Sequence, residues 1–144
     1  MATALEIAHE WFEEVWNKGD EAAIARLMAP SAKFHGLATP DGSPIVGPAA
    51  FKPFFRQFRQ AFPDIRIDVE RSVLEDDMVA LYCRVTGTHR GEGLGIAATG
   101  KPLDIRGMAM ARIVDGKVAE AWNCFDFLSL YGQVGLLQLP QAAR

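Results

Sequence analysis

Apolar residues near the start of the chain recur at helical spacing. Leu5, Ala8, Phe12, Val15 and Trp16 form one stripe, with Glu6, Glu10, Glu13 and Glu14 mostly opposite. Asn17-Lys18-Gly19 ends the stripe; Gly19 suits a helix C′ position and Asp20 the next N-cap. A second helix is predicted through Ile24, Leu27 and Met28, stopped by Pro30, and residues 32–36 read as a short strand. Pro40, Asp41, Gly42, Ser43 and Pro44 mark residues 37–46 as a loop. Gly47-Pro48 then opens a third helix whose apolar face is Phe51, Phe54, Phe55, Phe58 and Phe62, and Phe62-Pro63-Asp64 closes it.

From Ile65 the period falls to about two. Ile65, Ile67 and Val69 alternate with charged residues, and Val79, Leu81, Cys83 and Val85 follow a Glu75-Asp76-Asp77 turn. Further strands are predicted over residues 103–114 and 117–125, joined at Asp115-Gly116, with a short helix over residues 127–136. Helices first and antiparallel strands after them predict an α+β fold: a cone-shaped curved sheet wrapped around the N-terminal helices, with space for a pocket. A length of 144 residues predicts one domain, residues 1–144, large enough for a core.

The last hairpin decides which residues share a face. The reading preferred here is a three-residue turn with Gly116 in the left-handed position, which puts Met108 beside Trp122 and brings Arg112 near Glu120. Met108, Met110, Trp122 and Asp126 then share the pocket face. Gly107, Ala109, Ala111, Ala119 and Ala121 form a flat outer face suited to packing on another sheet. A two-residue turn at Asp115-Gly116 would instead put Ala109 beside Trp122.

Composition narrows the function. With 49% apolar and 23% charged residues, the chain is neither disordered, collagen-like nor a coiled coil. A formal charge of −3 argues against nucleic acid as partner, and no apolar run approaches the roughly 18 residues of a membrane span. The start of the chain lacks the pattern of a signal peptide, which predicts a cytoplasmic protein. Cys83 and Cys124 read as two buried thiols. The three histidines lack metal-ligand spacing, and Gly91-Glu92-Gly93-Leu94-Gly95 does not open a helix after a strand, as a dinucleotide loop would. What remains is acid–base chemistry without metal or cofactor, or plain binding, with a small hydrophobic or aromatic molecule as ligand.

Asp126, set among apolar neighbours at the end of the last predicted strand, suits a general acid/base or the N-cap of the terminal helix. His35 is placed to orient a substrate carbonyl or share a proton; the alternative is a hydrogen-bonded rim histidine. His89, before the glycine-rich loop, is expected near the pocket mouth or on a surface loop, and His9 is read as structural. Arg106 and Arg112 would meet an anionic substrate or pair with Asp104 and Glu120. Phe12, Trp16, Phe34, Phe58 and Trp122 would fill the core or wall the pocket.

The segments Trp16-Asn17-Lys18-Gly19-Asp20, Phe34-His35-Gly36, Gly47-Pro48, Phe62-Pro63-Asp64, Gly87-Thr88-His89-Arg90-Gly91, Thr99-Gly100-Lys101, Asp115-Gly116-Lys117 and Trp122 through Asp126 follow one another in an order that is similar to a known family. The chain resembles the SnoaL-like polyketide cyclases, or ester cyclases, of the nuclear transport factor 2-like superfamily. The resemblance implies a cone-shaped α+β barrel, usually dimeric, with a deep hydrophobic pocket that closes rings by intramolecular aldol condensation without metal or cofactor. It implies Asp126 as general acid/base, His35 as a second polar group, and Met108, Met110 and Arg112 on the facing strand, with homodimerisation through the convex sheet face. Two alternatives share the fold. One is a non-catalytic module for hydrophobic ligands. The other is an epoxide hydrolase- or isomerase-like activity, with Asp126, Arg106 and Asp104 around a water.

Overall fold

The computed structural model describes residues 2–138 and Pro140. Helix formation begins at Thr3, whose hydroxyl accepts the Glu6 amide at 3.1 Å, and α1 runs Ala4–Glu10. Over Trp11–Asn17 the chain widens into a π-helix, and the Lys18 amide reaches back to the Glu13 carbonyl at 2.9 Å. The wider turn points Trp11, Phe12, Val15 and Trp16 into the core together. Trp11 therefore joins the stripe, although α-helical spacing leaves it out. In the next helix, α2 (Ala22–Leu27), Asp20 accepts the Ala22 amide at 3.1 Å. α2 ends at Leu27 and not at Pro30, because Met28 is already extended and opens β1 (Met28–His35). The proline sits where the pairing of this strand is interrupted, between Met28 and Lys33, so no ladder hydrogen bond is asked of it.

β2 (Ile45–Val46) leads into α3 (Gly47–Ala61), which carries Pro48 in its first turn and buries Phe51, Phe55 and Phe58. β3 (Arg66–Glu75), β4 (Met78–Thr88), β5 (Pro102–Val114) and β6 (Lys117–Phe125) follow. α4 covers Phe127–Gln133, shorter than the helix expected through Leu136. The strands form one six-stranded sheet in the order β2-β1-β6-β5-β4-β3. Neighbours are antiparallel except β1 and β6. The N-terminal helices pack on one face of this curved, unclosed sheet, which is the α+β arrangement that the order of periodicities predicts.

The β5–β6 hairpin departs from the expectation. Asp115 and Gly116 both take positive φ, 51° and 74°, and Val114 pairs with Lys117. A two-residue turn with this backbone matches the twist of its strands, so the three-residue turn does not form. The bulge falls instead at Ala119, between the Ile113–Val118 and Arg112–Glu120 pairs. It places Met110, not Met108, opposite Trp122, and it does bring Arg112 opposite Glu120. The two faces are also reversed. Leu103, Ile105, Ala109, Ala111 and Ile113 face the helices, while Met108 (52% exposed) and Met110 (44%) lie on the outer face. Rings from the π-helix and α3 pack on the concave side, where the middle of β5 presents only Gly107, Ala109 and Ala111 between the larger Ile105 and Ile113. The alanines are thus interior, not an outer packing face.

Cys83 is buried as expected, and burial pushes its thiol up to about 12; Cys124 is exposed, against expectation, because it lies on the outer side of β6. Asn17 clamps the π-helix to edge strand β3. Its Oδ1 accepts the Ile67 amide at 2.6 Å and its Nδ2 donates to the Ile67 carbonyl at 2.9 Å. Asn17→Ala should leave both backbone groups short of a partner and cost about 2–3 kcal/mol. Thermal denaturation should show this as a fall in Tm of about 6–10 °C.

Candidate functional site

An apolar cavity of about 70 Å³ lies between the helices and the concave sheet face. Trp11 and Trp16 of the π-helix, Phe51, Phe54 and Phe58 of α3, Phe34 of β1 and Ile105 of β5 form its walls, with Phe125 and Phe127 at the β6–α4 junction. The rings hold one another by edge and tilted contacts. Centroid distances are 5.3 Å for Trp11–Phe34, 5.2 Å for Trp11–Phe51 and 4.8 Å for Phe54–Phe58.

Among the described lining residues, Asn123 alone carries an amide, hydroxyl or charged group. It stands on β6 opposite Ala109, and its Nδ2 donates to the His35 carbonyl at 2.9 Å. The next residue, Gly36, takes φ +79°, and a Cβ there would run into the Asn123 carbonyl. Glycine therefore lets the chain leave β1 while lying against Asn123. One amide hydrogen and the Oδ1 lone pairs of Asn123 remain for a ligand. Behind Trp11 and Phe34 lies a smaller void of about 20 Å³, bounded also by Phe12, Leu81, Ala109, Ala111 and Asn123.

Several of the residues expected in a pocket are there. Trp16, Phe34 and Phe58 line the main cavity and Phe12 the void behind it. The polar candidates are elsewhere. Asp126 is exposed and caps α4: its Oδ1 accepts the Ser129 amide at 3.0 Å and its Oδ2 the Ser129 hydroxyl at 2.7 Å. His35 points to the outer face, because Phe34 before it points in. Its Nε2 lies 2.7 Å from Glu120 Oε2 and its ring stacks on Trp122 at 5.8 Å. The Arg112 guanidinium lies 6.0 Å from the centre of the same indole ring and 3.6 Å from Asp77. Trp122, Met108, Met110 and Arg112 therefore belong to the outer face and do not line the cavity, as the alternation along β5 requires.

His89 is fully buried and away from both spaces. Its Nδ1 accepts the Thr99 amide at 3.2 Å, and its ring packs on Phe62 at 5.7 Å, closing the base of the glycine-rich loop. The set imagined around a water is assembled only in part. Asp104 binds Arg84 through both oxygens, at 3.0 and 2.7 Å, and meets Arg106 at 3.3 Å; Arg106 also meets Glu70 at 2.9 Å, and its carbonyl accepts the Asp126 amide at 3.3 Å, but the Asp126 carboxylate is held by Ser129. Among the described residues no cluster of His, Cys, Asp and Glu has the arrangement to hold a metal, and no helix is long and apolar enough to cross a membrane.

Sequence reading missed Trp11, Asn123, Phe125 and Phe127. Pairing Ala109 with Asn123 would have found the amide, since a small inward residue opposite a polar one marks a gap in the wall.

A model described as SnoaL-like polyketide cyclase matches residues 6–134. IdmH of Streptomyces antibioticus, a proposed polyketide cyclase, superposes with a TM-score of 0.80 at 26% identity, covering 93% of this chain and 99% of that one. AclR of Streptomyces galilaeus, a proposed hydroxylase, gives 0.81 at 28%, covering 96% and 84%. A proposed polyketide cyclase of Acidithiobacillus ferrooxidans gives 0.77 at 27%, covering 94% and 96%. Among proteins of curated function, none matches the chain.

The cap geometry of Asp126 makes a separable prediction. Asp126→Ala should lose about 1 kcal/mol in urea denaturation, whereas Asp126→Asn, itself a good N-cap, should stay near wild type.

Proposed function

The chain belongs to the SnoaL-like polyketide cyclase family, and we propose that it is a cyclase- or isomerase-type enzyme whose small, mostly apolar substrate sits in the aromatic cavity with one oxygen on Asn123. The observation behind this reading is the wall itself: rings from the π-helix, α3 and β1, aliphatic side chains such as Ile67, Val85 and Ile105 from the sheet, and one amide held in place by the His35 carbonyl. Burying an apolar ligand there supplies affinity without direction. A single hydrogen bond in such a dry setting then fixes which atom of the ligand faces β6. An amide N–H aimed at a carbonyl oxygen also stabilises the negative charge that grows on it when a neighbouring carbon loses a proton.

Proton abstraction needs a base as well, and Asp126 is our candidate. Phe125 before it and Phe127 after it both line the cavity, which sets the Asp126 backbone beside the wall, while its exposed carboxylate is held by Ser129. A turn away from Ser129 would bring it toward the substrate at the cost of the cap, about 1 kcal/mol. The competing reading is a binding module without turnover, favoured by the lack of any titratable side chain among the described lining residues.

Hydrogen–deuterium exchange at the methyl group of acetophenone separates the two. The full chain in D2O should bind the ketone and speed its exchange above that of buffer. Asn123→Leu should weaken binding about tenfold. Asp126→Asn should slow exchange 10²–10⁴-fold with binding retained. Binding without exchange would favour the module, and no binding at all would refute both.

We also propose a homodimer through the outer sheet face. Tyr82, Met108 and Met110 are exposed there beside Trp122 and Arg112, the residue types that concentrate at the centre of interfaces. Sedimentation should show a species of twice 15.8 kDa, reduced to the monomer by Met110→Asp. A wild-type protein that stays monomeric at high micromolar concentration would overturn this.

A further inference from the structure

We infer that the void behind Trp11 and Phe34 is a second compartment of the same cavity, and that Ala109 and Ala111 set how large an apolar group a ligand carries beyond the oxygen held by Asn123. This rests on the binding role of Asn123 proposed above. Both spaces share Trp11, Phe34 and Asn123 as walls, so the amide stands at their junction and not at a far end. A ligand oxygen on Asn123 can thus have apolar matter on both sides of it: a ring toward α3 and a smaller group toward β5.

The inward row of β5 explains why the second compartment exists. Leu103, Ile105 and Ile113 are large, and Gly107, Ala109 and Ala111 between them are small. Gly107 is accounted for by packing, because the Phe125 ring occupies the place of a Cβ there. Ala109 and Ala111 face the void. Protein interiors rarely leave space as large as a water molecule unfilled, and an apolar void stays dry. A space of about 20 Å³ is close to one water in size and takes one or two carbons of a ligand.

A homologous series of phenyl ketones reads the compartment directly. Acetophenone, propiophenone, butyrophenone and hexanophenone are titrated calorimetrically into the full chain. Affinity should rise about fourfold per carbon for the first one or two and then level off. Ala109→Val and Ala111→Val, each filling the void, should bind acetophenone within about twofold of wild type but lose the rise. Val118→Ala, which enlarges the void from β6, should carry the rise one carbon further. Three independent variants keep the test alive if one fails to fold.

Chain-length profiles that run parallel in wild type and variants would overturn the inference while leaving the Asn123 reading intact. So would a loss of acetophenone binding as large as that of the longer ketones. Failure of wild type to bind acetophenone would sink both together.

Discussion

Successive side chains of a β-strand point to opposite faces, and β5 follows that rule through all 13 residues, buried and exposed in unbroken alternation. The rest of the molecule depends on which set faces the helices. Ile105, Ala109 and Ala111 make part of the cavity and of the void behind it, while Asp104, Arg106, Met108, Met110 and Arg112 are left outside. The pairing with β6 then completes the sorting. With the two-residue turn alone, Val114 opposite Lys117 would run on to put Trp122 opposite Ala109, indole inward. The bulge at Ala119 shifts the register by one, so Asn123 faces in and Trp122 faces out. One extra residue therefore gives the cavity its amide and the outer face its indole.

The amide is held by a chain of local necessities. Asn123 reaches across to the His35 carbonyl, which the parallel pairing of β1 with β6 brings alongside. Beyond His35 the backbone must turn without a side chain, and Gly36 at φ +79° permits it. The His35 ring takes no part inside. It serves the outer face, stacked on Trp122 and 2.7 Å from Glu120. His35 thus contributes to the cavity through its carbonyl and not through its imidazole, a role that residue type alone does not suggest.

Periodicity carried most of the fold: the helical stripes of the first half, the period of two after Ile65, and the positions of the turns at Asp76 and Gly116, although the second turn has two residues and not three and the second helix stops before Met28. Two kinds of information were not legible. The π-helix over Trp11–Asn17 hides Trp11, because a stripe drawn at α-helical spacing passes it by. The bulge at Ala119 has no signature in composition, yet the grouping of Met108, Met110, Trp122 and Arg112 on one face was legible; which face of β5 meets the helices was not, since alternation alone does not say, and that set was expected inside. For Asp126, sequence left acid/base and helix cap both open, and the carboxylate caps α4. The aromatic wall was the most legible part of the site, since bulk in amphipathic stripes must go inward whatever the register.

The neighbours include a proposed cyclase and a proposed hydroxylase on one frame, so fold alone does not choose a reaction. The empty space narrows the choice. About 70 Å³ beside Asn123 is left unfilled by the chain's own side chains, and its walls are almost wholly apolar. Larger side chains at Ala109 or Ala111 would fill the separate void of about 20 Å³ behind Trp11 and Phe34, on the other side of Asn123. A ligand that fills the cavity at a hundred times its Kd would add about 2.7 kcal/mol to the stability of the fold. On the proposed reading, stability and occupancy are therefore linked: an apolar ligand with one oxygen on Asn123 would complete the packing of the cavity.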